Sequence, residues 1–182
     1  MKKIISSLIV LFLSAALWVL MIYGMANYLE QTKKAQIEQH KSETIGSVIS
    51  VGYSKTEEAK LSYIINGKQY FVKTSTAGLL QIGEQYKIIY DYTAPTTATV
   101  LLPEPLFLSN QVTAITIGTI TRLHPSGIYP DLKFSYNVNG NTLIREQSFY
   151  DISQFKVGQK YTVEYLLTNP QIAILHTAKP IP

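Results

Sequence analysis

The sequence predicts an all-β protein: two tandem small five-stranded barrel-like domains, of SH3-like or OB-like type, behind an N-terminal transmembrane helix. Three observations predict it. The chain writes one strand pattern twice. Its aromatic content is dominated by 13 Tyr against 6 Phe and 1 Trp, and Tyr fits pleated, half-buried surfaces. Its first 29 residues are almost free of charge, whereas the rest is not.

The N-terminal segment comes first. Met1, Lys2 and Lys3 precede residues 4–26, which contain no charged side chain. As a helix at ~1.5 Å per residue they would span about 34 Å, against a hydrocarbon core of about 30 Å. Trp18, Tyr23 and Tyr28 lie at the outer end, where aromatic rings prefer the interface. The apolar run exceeds the usual h-region of a cleaved signal, so residues 1–29 read as an uncleaved signal anchor. Lys2 and Lys3 favour a cytoplasmic N-terminus with the C-terminal domains outside the cell membrane. The alternative is secretion after signal cleavage near Gly24 and Ala26. Residues 30–43 alternate Lys33, Lys34 and Lys41 with Glu30, Glu38 and Glu43 and read as a helical continuation or solvated stalk.

The duplication covers residues 44–103 and 116–182, with 104–115 between them. Thr44-Ile45-Gly46-Ser47-Val48 recurs as Thr116-Ile117-Gly118-Thr119-Ile120. The run from Lys60 to Gly67 recurs from Lys133 to Gly140, and Ile82-Gly83 recurs as Val157-Gly158. A first strand is expected after each shared glycine, at 48–51 and 120–123. Asn66-Gly67 and Asn139-Gly140 each sit between alternating apolar residues, the strongest short hairpin signal. Tyr63 then faces Tyr70, and Tyr136 faces Leu143. Leu61/Phe134, Tyr63/Tyr136 and Ile65/Val138 share the core face. A fourth strand turns Tyr86/Tyr161, Ile88/Val163 and Tyr90/Tyr165 inward, and a fifth fits 99–102 and 172–175. One unit this small is marginal alone, so the two are expected to share a surface, with Ile64, Phe71 and Ile144 as its candidates. Pro103, Pro105 and the apolar Leu106-Phe107-Leu108 predict a packed connector.

These motifs carry a resemblance. Gly-x-Val/Ile, a Tyr-bearing strand, Asn-Gly, and then Val/Ile-Gly-x-x-Tyr-x-Val/Ile-x-Tyr followed by Pro make each copy resemble the DUF3592 family of bacterial membrane-associated proteins. The family's usual Tyr-Asp-Pro run is replaced here by Tyr90-Asp91-Tyr92 and Tyr165-Leu166. The resemblance implies fold and membrane association, and no activity.

Chemistry is sparse in the sequence. There is no Cys, which excludes disulfides and thiol nucleophiles. Without Lys2 and Lys3 the charge balance is 14 basic against 12 acidic residues, too even for a nucleic-acid footprint. His40, His124 and His176 stand apart from one another and read as surface or turn residues. Glu57-Glu58 and Asp151 read as solvated loop positions. No cofactor, metal ligand set or catalytic residue is expected.

The copies differ most in two loops, at 124–132 and 149–152 of the second. Tyr129, Phe149 and Tyr150 are therefore the candidate partner contacts, against the alternative that they cap the barrel ends. The expectation is a non-catalytic, single-pass membrane-anchored envelope protein. Its helix would meet membrane lipid, and its two β-domains would serve protein interaction or assembly with an unknown protein partner or with a second copy as a homo-oligomer. The alternative is an enzyme, or an enzyme inhibitor, with a site between the repeats.

Overall fold

The computed structural model describes residues 2–52, 58–75, 80–127 and 129–177, and side chains from residue 17 onward. The first copy's loop positions 53–57 and 76–79 lie outside the described residues. One helix, α1 (Lys2–Gln39), precedes ten strands. They are β1 (Lys41–Gly52), β2 (Glu58–Ile65), β3 (Lys68–Thr74), β4 (Gln85–Asp91) and β5 (Ala98–Leu106), then β6 (Thr113–His124), β7 (Asp131–Val138), β8 (Asn141–Ser148), β9 (Lys160–Leu166) and β10 (Asn169–Leu175). The sheet orders are β3-β2-β1-β4-β5 and β10-β9-β6-β7-β8, all pairs antiparallel. Read from its first strand, the second sheet repeats the topology of the first. In each, the two edge strands approach each other, which gives the sheets their barrel-like form.

The expected hairpins form in the expected register. Tyr63 pairs with Tyr70, and Tyr136 with Leu143. Asn66 and Gly67 have φ of 50° and 77°, Asn139 and Gly140 of 51° and 81°. Positive φ at both central residues is what a two-residue hairpin turn matching the strand twist requires. Tyr63 and Tyr136 are buried, and each hydroxyl donates to a proline carbonyl after the fourth strand, Pro95 and Pro170 respectively. A buried phenol needs such a partner.

The first strands begin earlier than expected. β1 and β6 start seven residues upstream of the first apolar pair, so Gly46 and Gly118 lie inside them. Packing explains these glycines. A Cβ on Gly46 would lie 2.7 Å from Ile88 Cγ1, and one on Gly118 would lie 2.4 Å from Val163 Cγ2. The inward side chain of the neighbouring strand crosses over each glycine, as at close approaches within strongly curved sheets. Both strands then bulge, between Val48 and Ser50 and between Ile120 and Arg122.

Two further boundaries differ. α1 runs unbroken to Gln39 and only His40 separates it from β1, so residues 30–43 are helix followed by strand. β5 extends to Leu106 because Pro105 and Leu106 pair with Tyr86 and Gln85 past a bulge, which shortens the connector to the stretch before Thr113.

The repeats do not meet through Ile64, Phe71 and Ile144, which are 63%, 45% and 66% exposed. They meet instead at the rim of the first repeat, around Glu84 and β5, against β8 and β10 of the second. Sheet faces curled into small barrels point outward over most of their area, and the ends of strands are what two such units bring together.

Candidate functional site

The junction is assembled from positions where the two copies carry different side chains. In the second copy Gln159 Oε1 accepts from the Lys156 amide (2.8 Å) and the Tyr161 hydroxyl (3.2 Å). In the first, Glu84 Oε2 accepts from the Gln81 amide (2.9 Å) and the Tyr86 hydroxyl (3.0 Å). The bonding is the same, but glutamate has a second oxygen to offer in place of an NH2 group. Glu84 Oε1 accepts from the Arg145 guanidinium. Arg145 opposes Phe134 in the strand pairing, where the first copy sets the core residue Val72 against Leu61. Both partners of this ion pair are buried, at 3% and 5% exposure. Burial pushes the Glu84 carboxyl above the usual carboxylate range, opposed by Arg145 and the two donors. Burial also raises Tyr86, and the neighbouring Glu84 carboxylate raises it further. Two charges taken out of water and bonded to each other hold the repeats together and leave no open charge for a ligand.

Around this pair lie the loop residues singled out from the sequence. Tyr129, half-buried, packs against the core of the first repeat. Its ring meets Tyr150 edge-on, 5.8 Å between centroids. Tyr150 is exposed, and its hydroxyl donates to Glu104 Oε1 at 2.7 Å. Glu104 also binds Lys87 Nζ at 2.6 Å. The Lys87 and Tyr150 hydrogen bonds hold Glu104 below its usual range, while partial burial and Glu104 push Tyr150 up to about 12. Tyr129 and Tyr150 thus bridge the repeats. Phe149 corrects the expectation of an exposed contact. It is buried in the second core against Phe155, 5.1 Å between rings, and Phe155 in turn meets Tyr161. Strand alternation ends here: Gln147 and Ser148 at the close of β8 and Phe149 just beyond it are all buried at the barrel end.

The helix is fixed to the first repeat by a second set of divergent positions. Asp91, fully buried, accepts from the Gln36 amide (2.8 Å), the Thr93 amide and hydroxyl (2.7 Å each) and the Ala94 amide (3.3 Å). His40 Nδ1 lies 3.7 Å away. Burial alone would raise this carboxyl, but the donors outweigh it and bring it down to about 2. Ile37 of α1 is buried and lines a cleft of about 440 Å³ with Ile89, Leu101 and Tyr129. The second copy has Glu164 and Leu166 where the first has Ile89 and Asp91.

Each histidine has a carboxylate partner across strands or elements, which sequence spacing did not reveal. His40 faces Asp91, and His176 Nε2 lies 2.8 Å from Glu164, itself bonded by the Thr113 hydroxyl at 2.6 Å. His124 Nδ1 lies 3.0 Å from Asp131 Oδ2, and its Nε2 lies 2.9 Å from Ser126 Oγ. Among the described residues no group of three or more such side chains is placed to hold a metal ion.

The outer sheet faces are apolar in matching places. Ile45 and Phe71 in the first repeat correspond to Ile117 and Ile144 in the second, and all four are exposed. Ile45, Ile64 and Leu108 line a shallow groove of about 530 Å³ together with Ser47, Ser62, Gln69 and Gln85. Neither the protein-family models nor the curated proteins include a match to this chain.

Proposed function

We propose that the chain is a single-pass, membrane-anchored envelope protein that acts by presenting two rigidly joined β-domains for protein interaction or assembly, in the manner expected of a tandem DUF3592-like protein. The observation that carries this reading is the exposed apolar residues on both sheets. Ile64 is 63% exposed and Ile115 73%, beside Ile45, Phe71, Ile117 and Ile144. Large exposed apolar side chains grouped on a sheet face favour an interaction site. The junction supports binding over turnover there, because its charged groups are spent on each other.

Anchoring rests on α1. Among the described residues no helix is long and apolar enough to cross a membrane. The uncharged run nevertheless starts at Ile4, before the first described side chain, and from Leu17 to Leu29 every large apolar side chain is at least 57% exposed. Water is a poor solvent for such a surface, and a bilayer is a good one.

Crosslinking in native membranes, followed by partner identification, tests the interaction. A specific adduct that is lost on Ile64→Glu or Phe71→Glu, with the melting temperature unchanged, is the expected result. A wild-type chain that crosslinks to nothing specific would sink the reading. Alkaline extraction tests the anchor: the chain should stay with the lipid, and release into the supernatant would rule the anchor out.

A further inference from the structure

Three side chains at the β6–β7 connection, His124 ending β6, Ser126 in the loop and Asp131 opening β7, form a directed hydrogen-bond series. Asp131 contacts His124 Nδ1 at 3.0 Å, and Ser126 Oγ contacts His124 Nε2 at 2.9 Å. The Asp131 side chain is only 17% exposed. A carboxylate can only accept, so in the neutral imidazole the proton sits on Nδ1. Nε2 is then a bare acceptor, and the Ser126 hydroxyl must donate to it. This is the tautomer and the polarity in which an imidazole can take a proton from a serine during attack on a carbonyl.

The backbone holds the series in place. His124 and Asp131 are cross-strand partners at the end of the β6–β7 pairing. The Phe149 amide donates to Pro130 O at 2.9 Å and ties the loop to the end of β8. Gly127, with φ of 109°, turns the chain directly after Ser126. The arrangement belongs to the second repeat alone. At the corresponding cross-strand pair the first repeat has Gly52 and Glu58, and Glu58 is bound by Lys73 at 2.8 Å. The end of that strand pairing is thus held in the first repeat without an imidazole.

We propose that Ser126 is a nucleophilic serine, with His124 as its general base and Asp131 as the positioning residue, and that it accepts acyl groups from small activated esters. Ser126 Oγ bonds to the ester carbonyl carbon, and its proton passes to His124 Nε2. The bond to the alkoxide breaks, and that group leaves with the proton from His124. Water then attacks the acyl-serine, again losing its proton to His124, and the carboxylic acid departs as Ser126 recovers its proton. Ser126 and His124 are exposed, so a small acyl donor reaches them without a gate. This chemistry goes beyond the binding reading and stands or falls without it, since the apolar sheet faces are separate from the loop.

The test uses the purified full-length chain in detergent, with a fluorophosphonate probe, which loses fluoride on attack, and p-nitrophenyl acetate as acyl donor. A single covalent adduct on the peptide holding Ser126 is expected by mass spectrometry, absent in Ser126→Ala. His124→Gln should slow labelling on the order of 100-fold, the usual share of a positioned base. Asp131→Asn should slow it as well while leaving the melting temperature in place, because the amide favours the wrong tautomer. A merely structural series would shift the melting temperature and leave labelling alone. No adduct at Ser126, or labelling of His124→Gln at the wild-type rate, overturns the proposal.

Discussion

Where the first repeat carries Val72, Glu84, Ile89 and Asp91, the second carries Arg145, Gln159, Glu164 and Leu166. Each exchange changes what the repeat can touch outside itself. Glu84 and Arg145 bind each other across the junction. Ile89 and Asp91 receive α1, whereas Glu164, at the outward position, is left to His176 and Thr113. Meanwhile the internal contacts are repeated almost bond for bond. The Val48 amide donates to Glu84 O at 2.9 Å, as the Ile120 amide does to Gln159 O. The Tyr92 amide donates to His40 O at 3.0 Å, as the Leu167 amide does to Val112 O. A duplicated fold keeps the contacts that close each unit, and diverges where the units meet something else.

Writing one copy's residues into the other tests this directly. Arg145→Ala should have the largest effect, a loss of about 3–5 kcal/mol, because it strands a buried carboxylate. The double change Arg145→Val with Glu84→Gln restores the residue types of the opposite copy at both places. It should recover most of the loss in a urea titration, and a double variant as unstable as Arg145→Ala would break the comparison. Next come the crossing-point glycines. Gly118→Ala and Gly46→Ala should each cost about 1–3 kcal/mol by overpacking, and Val163→Ala should relieve the first but not the second. Tyr63→Phe and Tyr136→Phe should each cost about 1 kcal/mol, the worth of one hydrogen bond, and should do so equally. A clear inequality would show that the two barrels use this bond differently.

Acid separates the copies more gently. The Asp91 carboxyl is held at about 2 in the folded chain, below the ordinary value of about 4. Its stabilisation is present above the ordinary value and is lost as pH falls through about 4 towards 2. Protection of the Tyr92 amide from hydrogen exchange, relative to its intrinsic rate at each pH, should therefore fall in that window, and that of the Leu167 amide should not, since Leu166 has no proton to gain. Equal loss of protection at both would detach the effect from Asp91. The smallest effects belong to the outer faces, where Phe71→Glu and Ile144→Glu should move stability by less than about 0.5 kcal/mol. Large losses there would restore the sheet faces as a shared surface.

Much of the fold was legible in the sequence because its signals are local. Strand parity puts Leu61, Tyr63, Phe134 and Tyr136 on one face whatever the rest of the chain does, and Asn-Gly commits the backbone to a hairpin within two residues. The early starts of β1 and β6 were hidden because their extra residues gain order by pairing with the distant strands β4 and β9, as Lys41 does with Asp91 and Thr113 with Leu166. Phe149 could be read either as an exposed contact or as a cap of the barrel end, because its loop does not show which core covers it; it is the cap. His124 looked solitary because Asp131 reaches it across a strand pair, not along the chain.

By itself, the sequence determined two copies of one five-stranded topology, their turns, and the faces that form their cores. Tertiary structure alone decided how the copies and the helix are joined. Glu84 and Arg145 are separated by 61 positions, and Gln36 and Asp91 by 55. No periodicity links residues that far apart. Their pairing exists only once each unit has closed and its rim has lost water, because a charge commits to a single partner only where solvent can no longer serve it.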